Sequence, residues 1–298
     1  MTMPAVAMAA HAKLNLFLRV LAREADGFHG IETLFCLVSL ADTLRAERRE
    51  GRGVTIEVSG SEAGPEADNL AVRAAAMVLE ATGNRFGVHL SLTKRIPAGA
   101  GLGGGSSDAV AGLLLVNHLA GNAVPHHELL QFAARLGSDV PFFFSGAPLA
   151  LGWGHGERLI RLPPLPPAPA LLLTPPTSIR TADAYGWVDS ARTAGTRRGG
   201  VVLDQDVLSR WGDVGRMAGN DFESPVFGRF PAIRAAFEAL VGTGPLVCRM
   251  SGSGSTLFAV YRSSRDRDDA RMMLGRKHGT LTAVETAAHP APGPAPAT

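Results

Sequence analysis

The chain has 298 residues and a formal net charge of +2, with 46% hydrophobic and 19% charged residues. This composition is typical of a globular enzyme of one or two domains, and so small a charge gives no basic field that would attract nucleic acid. The sequence has no apolar run long enough to span a membrane and no signal-peptide pattern, and its two cysteines lie far apart. We therefore expect a cytoplasmic protein with free, buried thiols and neither a nucleic-acid nor a membrane partner.

The first half of the chain begins with predicted β-strands. Between residues 14 and 20 apolar residues alternate with others, which is the pattern of a strand with one buried face. Further strands are predicted over 31–40 and 53–59, and a helix is predicted over 68–82 with Asp68 as its N-cap.

A glycine-rich segment follows the next predicted strand, which covers 87–93. Residues 97–108 read Pro-Ala-Gly-Ala-Gly-Leu-Gly-Gly-Gly-Ser-Ser-Asp and lead into a predicted helix over 106–120. Glycine lets backbone N–H groups approach an anion closely, and a helix N-terminus adds unpaired donors and the positive end of its dipole. The segment therefore predicts a binding site for a phosphate-bearing ligand.

Two other phosphate motifs share some of these residues, but neither has the context that it requires. Gly99, Gly101 and Gly104 match G-x-G-x-x-G, yet a dinucleotide-binding fold places such glycines directly after a strand, and residues 94–97 intervene here. A P-loop has a lysine where Gly105 stands. A plain exposed turn is the remaining alternative, and five glycines followed by Ser-Ser-Asp argue against it.

A proline-rich segment separates the two halves of the chain. Before it, a helix over 126–136 is predicted to end at Gly137. Prolines become frequent between 162 and 176, which indicates a boundary between one domain over 1–162 and a second over 163–287.

The second half again mixes strands and helices. We predict a strand over 170–173, helices over 205–217 and 231–241, and two strands on either side of 251–256. The last segment, 288–298, is rich in alanine and proline and is predicted to be a disordered tail.

Five short segments carry the polar residues that stand out from these elements. In chain order they are Ala-Lys-Leu-Asn at 12–15, Ala-Asp-Gly-Phe-His at 25–29, the glycine-rich segment, Leu-Gly-Ser-Asp-Val-Pro at 136–141 and Met-Ser-Gly-Ser-Gly at 250–254. Together they resemble the motifs of the GHMP small-molecule kinases, and the resemblance covers residues 9–287. The 25–29 segment resembles the Ala-Asp-Gly-Tyr-His signature of the branch of that family whose acceptor is a cytidine-diphospho polyol.

The resemblance implies an α+β fold of two domains with the active site in the cleft between them. The N-terminal domain is expected to be ribosomal-protein-S5-like and to bind ATP, and the C-terminal domain to be ferredoxin-like. The resemblance also implies Mg²⁺, held through the hydroxyl of Ser106 or Ser107. The residues expected to bind ATP are Pro97, Gly99, Gly101, Leu102, Gly103, Gly104, Gly105, Ser106 and Ser107.

Phosphoryl transfer also needs a group that deprotonates or orients the attacking hydroxyl. The resemblance assigns this role to Asp139, with Lys13 beside it to keep the carboxylate ionised and to hold the hydroxyl or γ-phosphate. Taken alone, Asp139 would be interpreted as a helix N-cap and Lys13 as a solvated strand residue. The order of the motifs favours the catalytic roles for both.

The acceptor is expected to bind through one residue of the first strand and through aromatic side chains. Asn15 lies on the same face of the strand as Lys13, two residues away, and is expected to orient the substrate. The resemblance implies that Phe28 and Tyr185 sandwich the cytosine while His29 bonds its polar edge. Thr181 belongs to the same predicted site, and Phe28 stands where the signature has tyrosine, which keeps the aromatic face and loses the hydroxyl.

Two alternative functions remain open from the sequence. The first is another GHMP kinase, of the mevalonate or homoserine type, against which only the 25–29 segment argues. The second is an inactive relative that senses a sugar or nucleotide, against which the presence of both Lys13 and Asp139 argues.

Overall fold

Two β-sheets organise the chain, and the computed structural model describes residues 5–25, 27–60, 68–192, 204–289 and 291–297. Asp26 of the 25–29 segment and two positions of the predicted tail, 290 and 298, lie outside the described residues. The α+β fold class is confirmed, because strands of the first half and a short C-terminal strand build one sheet, and the other strands of the second half build a second.

The first sheet is built on two long strands. Its first six strands are β1 (Ala5–Arg23), β2 (His29–Arg49), β3 (Gly53–Gly60), β4 (Gly87–Lys94), β5 (Leu149–Gly154) and β6 (Arg158–Arg161). β1 and β2 are antiparallel along almost their whole length. The other edge of β2 pairs first with β5 and then with β4, while β3 runs parallel to β4 and β6 extends the sheet beyond β5.

Four helices accompany this sheet within the described residues. They are α1 (Leu70–Ala81), α2 (Gly104–Leu119), α3 (His126–Leu136) and α4 (Val140–Ser145). The N-cap of α1 is Asn69, whose side chain accepts the N–H of Ala71 at 2.9 Å, so the prediction of Asp68 as N-cap was wrong by one residue. An N-cap must have its oxygen within reach of the first free N–H groups, and Asn69 meets that condition.

The second sheet is antiparallel throughout, in the order β10-β7-β9-β8. Its strands are β7 (Pro169–Thr174), β8 (Val247–Met250), β9 (Leu257–Val260) and β10 (Thr280–Glu285). Its helices are α5 (Thr181–Ala191), α6 (Trp211–Met217), α7 (Glu223–Arg229), α8 (Pro231–Val241) and α9 (Ser264–Leu274). The helix predicted over 205–217 is a short 3-10 helix, Val207–Ser209, followed by α6.

A shared hydrophobic core joins the two sheets. One buried cluster contains Leu14 and Leu16 of β1 together with Leu172 of β7 and Phe258 of β9. Each such side chain contributes about 1.5–3 kcal/mol when it leaves water, so this cluster stabilises the packing of the two sheets against each other. Both cysteines are buried and free, as predicted. None of the described helices is long and apolar enough to cross a bilayer.

The C-terminal segment forms a strand where the sequence predicts disorder. Strand β11 (Ala295–Pro296) pairs antiparallel with Val6 and Ala7 of β1, and the N–H of Ala297 donates to the carbonyl of Ala5 at 3.1 Å. Alanine and proline supply little apolar area, so composition alone indicated disorder. The exposed edge of β1 offers backbone partners instead, and proline is tolerated at such an edge.

Candidate active site

A cavity of about 980 Å³ is lined by residues from both halves of the chain. All but two of the predicted site residues reach its wall. They are Lys13, Asn15, Phe28, His29, Pro97, Gly99, Gly101, Gly103, Gly104, Gly105, Ser106, Asp139, Thr181 and Tyr185. The structure therefore brings the phosphate, catalytic and base-binding candidates into one space.

Leu102 and Ser107 are the two predicted residues that do not line the cavity. Leu102 is buried, and its carbonyl accepts the N–H of Lys13 at 3.0 Å. Ser107 is also buried, and its N–H donates to the carbonyl of Gly103 at 3.0 Å. Of the two serines that the sequence offers for a magnesium contact, Ser106 lines the cavity and Ser107 does not.

The glycine-rich segment owes much of its glycine content to close packing. Gly99, Gly101 and Gly103 all have left-handed backbone angles, with φ of 63°, 80° and 72°. A Cβ on Gly101 would lie 2.0 Å from the carbonyl oxygen of Ser251, and one on Gly103 would lie 2.7 Å from the ring of Phe143. At these two positions the glycines permit the segment to fold against its neighbours, which goes beyond the phosphate approach that the sequence suggested.

The start of α2 faces the cavity with its unpaired donors. Gly104, Gly105 and Ser106 form the first turn of the helix and line the wall. The first N–H groups of a helix have no partner within it, and the dipole places partial positive charge there. A Cβ on Gly105 would meet only Leu70, at 3.8 Å, so this position is open toward the cavity. The arrangement suits a bound triphosphate.

The catalytic candidates meet where β1 passes the start of α4. The Nζ of Lys13 donates to Oδ1 of Asn15 at 2.6 Å and lies 3.3 Å from Oδ2 of Asp139. The Lys13 side chain is 4% exposed, whereas that of Asp139 is 29% exposed. Asp139 occupies the N-cap position of α4 without capping it through its side chain, so its carboxylate is available to the cavity.

A chain of hydrogen bonds fixes the head group of Lys13. The amide of Asn15 donates to the hydroxyl of Thr33 at 2.8 Å, and that hydroxyl donates to the carbonyl of Phe17 at 2.7 Å. The side chains of Lys13, Asn15 and Thr33 are all buried. Thr33 was not predicted, although it alternates in β2 with the apolar residues Ile31 and Phe35, a spacing that marks a buried polar position.

Aromatic rings line the other end of the cavity. His29 stacks on Tyr185 with centroids 5.1 Å apart, and Phe222 meets Tyr185 edge-on at 4.9 Å. His29 also bonds Asp189 through Nε2 at 2.8 Å, while the exposed ring of Phe28 lies 5.3 Å from that of His155. The structure thus places His29 within the stack, where the sequence assigned it only a bond to the base.

Tyr185 lies close enough to Asp139 for the charge of the carboxylate to affect the pKa of the phenol. Burial and the carboxylate of Asp139 raise the pKa of Tyr185 to about 12. The phenol is therefore protonated at neutral pH and can donate a hydrogen bond into the cavity.

A buried charge cluster under the glycine-rich segment was missed by the sequence analysis. Lys94 bonds Asp42, and its Nζ also lies 2.7 Å from Oδ2 of Asp108. Asp42 accepts two further bonds from the backbone N–H groups of Arg95 and Ile96, at 2.5 and 2.8 Å. The second oxygen of Asp108 has no hydrogen-bond partner among the described residues. One ammonium between two carboxylates leaves an excess negative charge in a buried place.

The excess negative charge is reduced when Asp108 binds a proton. Burial raises the pKa of Asp108 to about 7, against the opposing effect of the Lys94 ammonium. Asp42, unlike Asp108, accepts two backbone N–H bonds. A signal was present in the sequence, because Lys94 follows Leu90 and Leu92 at the period of two that marks the buried face of β4.

Comparison with known proteins places the chain beside one group of enzymes. It matches the family described as GHMP kinases N terminal domain over residues 69–147 and the family described as GHMP kinases C terminal over residues 205–280. A protein of Solibacter usitatus (strain Ellin6076) named 4-diphosphocytidyl-2-C-methyl-D-erythritol kinase is 43% identical over 270 residues, covering 89% of this chain and 84% of that protein. A protein of Bordetella parapertussis with the same name is 38% identical over 289 residues, covering 95% and 91%.

Solved structures give the same result. The crystal structure of a 4-(cytidine 5'-diphospho)-2C-methyl-D-erythritol kinase matches with a TM-score of 0.79 and 36% sequence identity, covering 94% of this chain and 99% of that one. A homoserine kinase from Cytophaga hutchinsonii ATCC 33406 has a TM-score of 0.68 at 20% identity, covering 98% and 96%. The second match shows a shared fold alone.

The raised pKa of Asp108 makes the stability of the protein depend on pH. Folded Asp108 keeps its proton up to about pH 7, whereas the unfolded chain releases it near 3.8, so the folded state binds more protons between these values. The contribution of this group to the free energy of unfolding is therefore full below pH 3.8 and falls as pH rises to 7, by at most about 4 kcal/mol. We expect Asp108→Asn to remove this decline.

Urea unfolding of the wild type and of Asp108→Asn from pH 4 to 8 measures the effect. The surface variant Asp269→Asn is the control and should run parallel to the wild type. A constant difference between the wild type and Asp108→Asn across this range would show that Asp108 does not titrate there.

Proposed function

The chain belongs to the GHMP kinase family, and from that membership we propose that it phosphorylates the 2-hydroxyl of 4-diphosphocytidyl-2-C-methyl-D-erythritol with ATP. This reaction lies in the non-mevalonate pathway to isoprenoid precursors. Relatives with that name at 38–43% identity over most of the chain support the choice of acceptor. The observation that carries the proposal is the Lys13–Asp139 pair, which lies between the glycine-rich segment and the aromatic end of one cavity.

The pair provides what a hydroxyl needs in order to attack a phosphoryl group. The partly exposed carboxylate of Asp139 can accept or orient the proton of the acceptor hydroxyl. The buried ammonium of Lys13 is held by Asn15 and Asp139 at the edge of the cradle, where it offers positive charge to the transferred group. Most of the catalysis in phosphoryl transfer comes from such positioning and charge stabilisation.

The donor is proposed to lie along the glycine-rich segment. The N–H groups at the start of α2 and the positive end of its dipole would hold the phosphates, and the Gly105 position leaves room for them. Family membership supports ATP as the donor.

Mg²⁺ is part of the proposal. The described residues contain no group of three or more His, Cys, Asp or Glu side chains that could hold a metal ion. Mg²⁺ takes most of its ligands from water and nucleotide phosphates and needs few from the protein. We assign the single protein contact to the hydroxyl of Ser106, and the bound ion would neutralise charge on the phosphates.

The aromatic end of the cavity favours a cytidine acceptor over a small one. Phe28, His29 and Tyr185 line the wall there, and flat rings are the side chains on which a base stacks. Mevalonate and homoserine have no ring that would use them. The inactive-relative alternative has no observation in its favour, because Lys13 and Asp139 are in contact as catalysis requires.

The proposal predicts that ATP consumption requires the cytidine-diphospho polyol. We expect turnover with 4-diphosphocytidyl-2-C-methyl-D-erythritol and Mg²⁺, and none above background with mevalonate or homoserine. A coupled ADP-release assay measures each acceptor. Equal turnover with the small acceptors would refute the assignment.

Asp139→Asn should lower kcat by roughly 100-fold or more, because a positioned acid–base group contributes on that scale. The amide keeps the shape of the side chain, so CMP binding and the unfolding midpoint should remain those of the wild type. The surface variant Asp269→Asn serves as the matched control. Near wild-type kcat in Asp139→Asn would return this residue to a purely structural role at the start of α4.

Phe28→Ala should raise KM for the cytidine acceptor by roughly 10- to 100-fold, because one stacked aromatic face is worth about 1–3 kcal/mol. The ring is exposed, so the fold should not change, and ADP binding should be unaffected. Phe28→Tyr is the conservative control and should behave as the wild type. If KM is unaltered in Phe28→Ala, the base does not stack on this ring.

A further inference from the structure

The segment Gly219–Asn220–Asp221–Phe222 contacts both ends of the active-site cavity, through Gly252 at one end and Tyr185 at the other. Its backbone extends the free edge of β1, because Leu18 donates to the carbonyl of Gly219 at 2.8 Å and accepts the N–H of Asp221 at 3.0 Å. The carboxylate of Asp221 accepts the N–H of Val20 at 2.6 Å. The segment is thus fixed to the same strand that carries Lys13 and Asn15.

The side chain of Asn220 uses all its main hydrogen-bonding groups inside the protein. Its amide nitrogen donates to the carbonyls of Met250 and Gly252, both at 2.8 Å. Its oxygen accepts the N–H of Phe222 at 2.9 Å. Asn220 is 7% exposed, so these carbonyls have little water to replace the amide if it is lost.

The carbonyl of Gly252 belongs to the turn at residues 251–254, that of Met250 ends β8 directly before it, and the turn closes against the phosphate cradle. The hydroxyl of Ser251 donates to the carbonyl of Gly101 at 2.9 Å. A Cβ on Gly252 would lie 3.4 Å from Cα of Gly101 and 3.5 Å from Nζ of Lys13. Asn220 therefore holds this turn at the place where the catalytic ammonium meets the glycine-rich segment.

The third bond of Asn220 reaches toward the base-binding end. Phe222 is buried and meets Tyr185 edge-on, and Tyr185 carries the stacked ring of His29. Tyr185 lies in helix α5, and the 251–254 turn also contacts this helix directly, because the hydroxyls of Ser253 and Thr181 lie 3.1 Å apart. One amide side chain thus joins the two ends of the cavity.

We propose that Asn220 is a positioning residue for phosphoryl transfer, which sets the 251–254 turn over the reacting phosphate through its amide donors and supports the aromatic stack through its oxygen. This inference rests on the proposed kinase function. The amide nitrogen of Asn220 holds the turn and the amide oxygen supports the stack, so substitutions can test the two tasks separately.

Asn220→Asp keeps the acceptor for Phe222 and removes both donors to the turn. We expect kcat to fall by roughly 10- to 100-fold, the scale on which a small misplacement of reacting groups acts. CMP binding and ADP binding should stay unchanged, because the stack and the start of α2 are not altered. Asn220→Ala removes the acceptor as well, so it should lose both kcat and CMP affinity.

Asn117→Asp is the matched control. Asn117 is another buried asparagine, which bonds the backbone of Val124 in both directions, at 3.0 and 2.9 Å, away from the cavity wall. It should cost stability without changing kcat per folded molecule. Steady-state kinetics, calorimetric binding of CMP and ADP, and thermal unfolding of all four proteins provide the comparison.

If the wild type is active and Asn220→Asp has the same kcat, this inference is overturned and the proposed function is not. The same holds if Asn220→Asp loses as much CMP affinity as Asn220→Ala. If Asn220→Asp does not fold, Asn220→Ala must still show the loss of kcat that Asn117→Asp lacks, and its absence would overturn the inference. A wild type without turnover on the cytidine acceptor would overturn the proposed function and this inference with it.

Discussion

The buried ammonium of Lys13 is the group on which the active site depends. Removing a charge of this size from water costs several kcal/mol, more than the 1 kcal/mol or less of an exposed ion pair. The site meets that cost with Asn15, with Asp139 and with the ring of Phe35, whose centroid lies 5.7 Å from Nζ. Because the partners come from β1, β2 and the start of α4, all three elements must be in place before the charge is stable.

The glycine-rich segment contacts the 251–254 turn, and this contact connects the two halves of the chain beside Lys13. The carbonyl of Gly101 accepts a bond from Ser251, and no side chain larger than hydrogen fits between them at Gly101. The hydrophobic cluster shared by the two sheets includes Ala100 and Leu102, the neighbours of Gly101, and so packs beside that contact. Candidate site residues from both halves of the chain therefore line one cavity together with Lys13 and Asp139.

The parts of the site that could be predicted are those carried by local motifs. Lys13, Asp139 and the glycine-rich segment were found because each lies in a short pattern with a chemical reason, and all three reach one cavity. Ser107 was assigned to the cavity although it is buried, because neighbouring residues of a helix point about 100° apart and the sequence does not give the rotation of α2. Asn220 belongs to no recognisable motif, because its side chain bonds backbone carbonyls about 30 residues away, at Met250 and Gly252.

The sequence by itself determined the α+β class and the family, because these depend on periodicity and on residue type at short spacing. Only the tertiary structure decided that the tail joins the edge of β1, that Asp108 and Asp42 share Lys94, and that His29 stacks on Tyr185. Each of these contacts joins residues far apart in the chain. Which of them meet is set by the packing of the two sheets, and no local pattern encodes that packing.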